Sequence, residues 1–379
     1  MKKNLSLLLI TLIFIIGTII AFIFKISLYD ILNNFNYNVV IILISMELFT
    51  NLLCKVGIIE KIAIYFSSKS QGDKRKCIIY FGLLMFVISA FLNNITAVLM
   101  ILPIIFVLFK TIGINQKNLN IFFAVILAIS NTGGASSPIG DFPAIVIMSS
   151  GITTFIDYLV RAFPFFLFTT FILILYWVLR VNKENDNKNL RLFSIELLKN
   201  RYKFFKINKK GLYGIILILI IMLITWSIVP SNVIPSELVA ILEFILAMTW
   251  CSLNNVKVDL KVDFKSILTI SSFMYLASIV SSTGILDSLI NILQNNINNP
   301  KTLLIIIMIF TSIISGLFGA GPAATAIMPI IVNLSQTSLS YANHWLAIAY
   351  GASICAGSSL FMWSATAGFV LSKKLKMQI

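Results

Sequence analysis

The chain of 379 residues is 59% hydrophobic and 11% charged, with a mean hydropathy of +0.97, which excludes a soluble globular domain. It reads as an all-α polytopic membrane protein of about ten transmembrane segments, each close to the ~20 residues needed to cross the hydrocarbon core. The formal net charge of +15 lies in clusters between apolar runs, so it orients the chain in the bilayer and marks no nucleic-acid surface. Cys54, Cys77, Cys251 and Cys355 show no C-x-x-C spacing and His344 is the lone imidazole, so neither a disulfide framework nor a metal centre or other cofactor is expected.

Residues 1–38 hold a first helix, Leu5 to Phe24, and an outer loop. Lys2 and Lys3 resemble the start of a signal peptide, but the apolar stretch is too long and lacks a small-x-small cleavage site, so a retained helix is expected. Residues 39–179 form a first repeat. Its loop Lys55 to Lys76 is basic and therefore cytoplasmic, and the short arms Cys77 to Leu92 and Ile95 to Phe109 read as a re-entrant hairpin. At its bend stand Asn93, Asn94 and Thr96, which can bind an ion or simply end helices.

The strongest signal is the run from Ser130 to Asp141, where Asn131, Thr132, Gly133, Gly134, Ser136 and Ser137 precede Pro138. Glycines admit close backbone approach, and proline removes a donor, so carbonyls and amides are freed within a membrane-length helix. Such backbone is tolerated at bilayer depth only inside protein or around a cavity. Asp141 is the carboxylate of this break, either a titrating group or the N-cap of a helix from Pro143. Na⁺ is expected at Asn94, Ser136 and Asp141, with Na⁺ or H⁺ as coupling ion.

A closing helix, Tyr158 to Leu179, leads into the linker 180–210, which carries ten basic and three acidic residues and is cytoplasmic, as is the N-terminus. Within it, Arg191 to Lys206 reads as an interfacial helix. Two connecting helices, Gly211 to Val229 and Ser236 to Cys251, fill 211–265. Residues 266–379 form a second repeat, with a hairpin tip at Gly319, Gly321 and Pro322, then Thr325, and a second break at Gly357, Ser358 and Ser359. Ser and Thr in membrane helices often bond back to their own helix, so these hydroxyls are weaker candidates. Glu47 and Glu243 also lie in apolar runs but make no matched pair, Arg161 is expected to snorkel at an outer helix end, and His344 to lie at an interface.

The halves match at a nearly constant offset. Gly57-Ile58-Ile59-Glu60 matches Gly284-Ile285-Leu286-Asp287 at 227, Pro103-Ile104-Ile105 matches Pro329-Ile330-Ile331 at 226, and Gly134-x-Ser136 matches Gly357-x-Ser359 at 223. From a cytoplasmic N-terminus one helix precedes the first unit, and from the cytoplasmic linker two precede the second, so matched segments run in opposite directions. Inverted repeats with broken helices are characteristic of secondary transporters. The partner of the closing helix would fall near position 381, beyond Ile379, so the last helix of the second repeat is expected to be missing, and the groove left behind is a candidate surface for lipid or for a homodimer.

These residues resemble the ion transporter superfamily, which includes NhaD-type sodium/proton antiporters, ArsB-type arsenite permeases, and citrate and dicarboxylate carriers. Gly133-Gly134-Ala135-Ser136-Ser137-Pro138-Ile139-Gly140-Asp141 is similar to the NhaD-type G-G-x-x-S-P-I-G-D, and 359–368 is similar, more loosely, to its S-L-L-I-I-G-S-A-A-G. The resemblance implies ion-coupled transport by alternating access in the cytoplasmic (inner) membrane. The NhaD-type pattern carries Asp-Asn in each hairpin, whereas this chain has Asn93-Asn94 and Gly319-Ala320. Losing both carboxylates favours a small carboxylate or oxyanion substrate over the alternative, a sodium/proton antiporter; a channel or an inactive truncated homologue is a further alternative. An enzyme is not expected, since the chain has no H-E-x-x-H, no G-x-S-x-G and no facing Asp pair.

Overall fold

A computed structural model describes residues 5–92, 94–112, 116–180, 188–201, 207–229, 233–256, 258, 262, 264–285, 288, 299–337, 339–361, 364–365 and 368. Asn93 of the expected hairpin bend lies outside the described residues. Helices dominate, and among the described residues there is no strand. In chain order they are α1 (Leu5–Ile23), α2 (Leu28–Asn34), α3 (Tyr37–Val56), α4 (Ile58–Ser70), α5 (Lys74–Phe91), α6 (Asn94–Ile112), α7 (Gln116–Ala135), α8 (Phe142–Ser149) and α9 (Phe155–Arg180). There follow α10 (Lys188–Arg201), α11 (Lys209–Ile228), α12 (Ser236–Leu253), α13 (Phe264–Ser282), α14 (Pro300–Phe318), α15 (Ala320–Gln336) and α16 (Asn343–Ser358).

Among the described residues, six helices are long and apolar enough to cross a membrane: α3, the 118–135 part of α7, α9, α11, α12 and α14. The peripheral ones carry their apolar side chains outward, as lipid-facing helices must; Phe168 and Leu179 of α9 are 66% and 72% exposed. The expected spans are present within a few residues. The hairpin arms α5 and α6 are longer than the sequence suggested, because Asp73 starts α5 three residues early by accepting from the amides of Arg75 and Lys76 at 3.0 Å.

Two elements went unanticipated. Helix α2 is a capping-box turn in which the Asp30 amide donates to the Ser27 hydroxyl and Asp30 accepts from Ser27 in return. The segment after Val56, expected as a loop, folds as α4. The helix expected over 191–206 is present from Lys188 to Arg201, its stretch 202–206 lying outside the described residues, with Ser194, Ile195 and Leu198 buried on α4 and α6 and Phe193 55% exposed.

The halves pack alike. Helix α7 lies on α5 with Gly133 at the crossing, where an added Cβ would fall 2.6 Å from the Phe86 carbonyl oxygen. Helix α16 lies on α14 with Gly357 at the crossing, where a Cβ would collide with the Ser312 carbonyl oxygen. The matched Gly57 and Gly284 both adopt left-handed backbone, with φ of 84° and 71°, which other residues enter only under strain. Helix α13 packs on α15, and the two halves meet where α7 and α8 touch α16 and α15.

Candidate functional site

Helix α7 stops at Ala135, and residues 136–141 run through the interior fully buried. The break is held by its own small side chains. The Ser136 amide and hydroxyl both donate to the Gly133 carbonyl, at 3.0 and 2.6 Å, and the Ser137 hydroxyl donates to the Ala90 carbonyl at the end of α5. Gly140 is pressed between carbonyls, its missing Cβ 2.6 Å from Gly134 O and 2.7 Å from Ser89 O, so only glycine passes there.

Asp141 takes the capping role and a second contact besides. It caps α8, one oxygen accepting from the Phe142 amide at 2.8 Å, while the other accepts from the Asn94 side-chain amide at 2.7 Å. The hairpin tip and the helix break are therefore joined through one carboxylate. Gly134 makes room for this pair: a Cβ there would lie 2.7 Å from Asp141 Cβ and 2.8 and 2.9 Å from the Asn94 amide oxygen and nitrogen.

The second break joins the first through Asn131, whose amide donates to the hydroxyls of Ser358 at 3.2 Å and Ser359 at 3.0 Å. Gly351, two turns earlier in α16, meets the Tyr158 hydroxyl, which donates to the carbonyl of Ala135, one turn later in α7. Contacts in opposite order make the two helices antiparallel, with their C-terminal ends overlapping. Between them lies a cavity of about 10 Å³, room for about one water molecule, lined by Asn131, Ala135, Asp141, Ala320, Gly351 and Ser358. Ala320 opens α15, and its N-cap Gly319, at φ 97°, brings no side-chain cap, so the positive end of α15 stands beside the cavity. The ring of Phe142 would sit 3.2 Å from a Cβ on Gly321.

Two side-chain oxygens here are anomalous. Asn94 Oδ1 and Asn131 Oδ1 are buried and have no hydrogen-bond partner, although each amide nitrogen is used. An orphaned buried acceptor costs about 1–3 kcal/mol, so its retention points to a ligand that supplies the missing contact. Asn94, Asn131 and Asp141 together could hold a hard cation, for which oxygen donors are the right chemistry.

Several expected site residues lie elsewhere. Thr132 faces α9, its hydroxyl 2.8 Å from that of Thr170, and Gly133 and Gly357 serve helix crossings instead of the cavity. Ser136 and Ser137 both donate to backbone carbonyls and so brace the break. Thr96 is half-buried in the first turn of α6. Thr325 bonds back to Pro322 at 3.0 Å and lines a separate cavity of about 210 Å³ with Asn36, Ser150 and Ser278. Arg161, expected to snorkel, is 3.9 Å from Asp157 and stacks over Trp345; His344 accompanies them, 2.9 Å from the Thr153 hydroxyl. A cavity of about 530 Å³ beside this cluster, walled by Asp157, Thr154, Ile42 and Trp226, reaches Pro138. Tyr158 was missed, since one tyrosine in an apolar run carries no signal that its hydroxyl will cap a helix 23 residues away.

A many-helix membrane bundle whose two broken helices meet antiparallel at a buried polar cavity is a membrane transporter. The chain belongs to the citrate transporter family, whose model matches residues 1–354. It is 25% identical over 346 residues to an uncharacterized transporter of Mycobacterium tuberculosis, covering 89% of this chain and 78% of that one. It is also 25% identical over 336 residues to the magnetosome protein MamN of Paramagnetospirillum magneticum, covering 86% of this chain and 74% of that protein. Over 124 residues, a third of the chain and 14% of the relative, it is 26% identical to the human P protein.

Proposed function

We propose that this protein is an ion-coupled secondary carrier of the cytoplasmic membrane that moves a small carboxylate by alternating access. The observation that carries the reading is the pair of orphaned amide oxygens, Asn131 Oδ1 on a residue that lines the cavity with Asp141 and Asn94 Oδ1 on the residue whose amide nitrogen bonds Asp141. A cation held there leaves the substrate's carboxylate to bridge from that cation to the positive end of α15, where Ala320 lines the same cavity. Family membership supports a carboxylate, and the lack of a second acid in the break weighs against cation exchange.

The antiparallel overlap of α7 with α16 and the matched glycine crossings support two inverted repeats sharing one site. The basic linker and loop support a cytoplasmic N-terminus and a cytoplasmic 180–210 linker. On that orientation both larger cavities open outward, since they gather around the α8–α9 turn and the start of α3.

The test is uptake by proteoliposomes loaded with purified protein, using labelled citrate, a dicarboxylate and arsenite under imposed Na⁺ or proton gradients. Saturable, gradient-driven uptake of a carboxylate is expected. Sodium efflux driven by a proton gradient with no organic substrate would mean an antiporter, and flux without saturation or coupling would mean a channel.

A further inference from the structure

Ala135, the last residue of α7, lines the cavity, and in a continuous helix its carbonyl would accept from the Ile139 amide. The break removes that partner, because the Ile139 amide turns to the Ser137 hydroxyl at 3.4 Å. In its place comes Tyr158 from α9, 1% exposed, whose hydroxyl donates to Ala135 O at 2.8 Å. The phenol is wedged between this carbonyl and α16, since a Cβ on Gly351, itself a cavity residue, would come within 3.0 Å of it.

Hard cations take about six or more oxygen ligands. The described side chains bring few: Asn131 and Asp141 line the cavity, and Asn94, its Oδ1 unpartnered, is bonded to Asp141 through its amide nitrogen. The carbonyl at the end of a broken helix is the natural further ligand, but a hydrogen bond from Tyr158 draws its charge and direction toward α9. A cation entering alone then lacks ligands, and the oxygens of a carboxylate substrate complete its shell.

We propose that Tyr158 is a positioning residue that makes cation binding depend on the substrate, by withholding the Ala135 carbonyl from the cation. The proposal rests on the cation and carboxylate reading above. It gives the carrier a means of avoiding a leak, since the cation does not load without its cargo.

The experiment is equilibrium binding of radiolabelled Na⁺ to the purified full chain, with and without citrate, in wild type and Tyr158→Phe. Phenylalanine keeps the buried ring and removes only the donor. Wild type should bind Na⁺ appreciably only with citrate. In Tyr158→Phe the Na⁺ affinity without citrate should rise about fivefold, the scale of one ordinary hydrogen bond, and the dependence on citrate should largely vanish. Gly351→Ala, which crowds the hydroxyl from the other side, should shift binding the same way with the tyrosine intact. A purely structural role would lower thermal stability and weaken both ligands together while leaving the citrate dependence in place, and that result in both variants overturns the proposal. Wild-type protein that binds Na⁺ equally well with or without citrate also overturns it. Wild-type protein that binds neither ligand overturns the cation and carboxylate reading itself, and this one with it.

Discussion

Gly133 and Gly134 are neighbours with opposite duties, and substituting each by alanine should separate packing from transport. At Gly134 the new methyl would stand 2.7 Å from Asp141 Cβ and within 2.9 Å of both polar atoms of the Asn94 amide. The Asn94 side chain can swing away, at the cost of its 2.7 Å bond to Asp141. A hydrogen bond to a charged group contributes about 1.5–3 kcal/mol, so affinity for the coupling cation should fall by about 10- to 150-fold. At Gly133 the methyl would meet the Phe86 carbonyl oxygen at 2.6 Å and Ser89 Cβ at 2.9 Å, where α5 itself would have to move. Overpacking of that kind costs about 1–3 kcal/mol of stability. The assay is cation-dependent uptake in proteoliposomes beside thermal unfolding of the same preparations in detergent. Gly134→Ala should insert normally, unfold near the wild-type temperature and need far more cation, and Gly134→Leu should not transport at all; Gly133→Ala should unfold early. Wild-type cation dependence in Gly134→Ala, or equal destabilisation by both alanines, would refute the assignment of Gly134 to the Asn94–Asp141 contact.

Asp141→Asn should abolish cation-dependent uptake and flatten its pH profile, because a neutral amide neither binds the cation strongly nor competes for protons. In wild type, acid should weaken the cation dependence by protonating the carboxylate; an unchanged profile in the variant would reduce Asp141 to the cap of α8. Asn131→Leu, which removes both the bridge to Ser358 and Ser359 and an orphaned oxygen, should lower the maximal rate and the cation affinity together; wild-type kinetics would show that the two halves do not share a site. In a chain with its four cysteines replaced, Lys61→Cys and Ile285→Cys, beside Gly57 and Gly284, should react with impermeant reagents from opposite faces of the membrane. Labelling from one face only would mean parallel repeats.

Much of this protein was legible without coordinates. Apolar length alone marks α3, α9, α11 and α12, because a bilayer demands a continuous run that no soluble fold needs. The break at Ser136 and Pro138 is legible because backbone chemistry is local: glycine and proline decide within a few residues where a helix cannot continue. The repeat offset pairs Gly357 with Gly134, whereas the helix packing pairs it with the neighbouring Gly133, so the sequence located the second crossing only to within one residue.

What each polar residue in the break faces was decided by the tertiary structure. Residues 130–147 are buried on all sides, so no apolar stripe tells one face of the segment from another. Thr132 and Asn131 are adjacent and equally polar, yet one turns to Thr170 on α9 and the other to Ser358 on α16. Gly133 and Gly134 read alike as points of close approach, but one is approached by the backbone of α5 and the other by the Asn94–Asp141 pair. Tyr158 makes the same point from outside the break. Its hydroxyl reaches Ala135 only because α9 packs along α7, a contact set by the whole bundle and by no nearby residue.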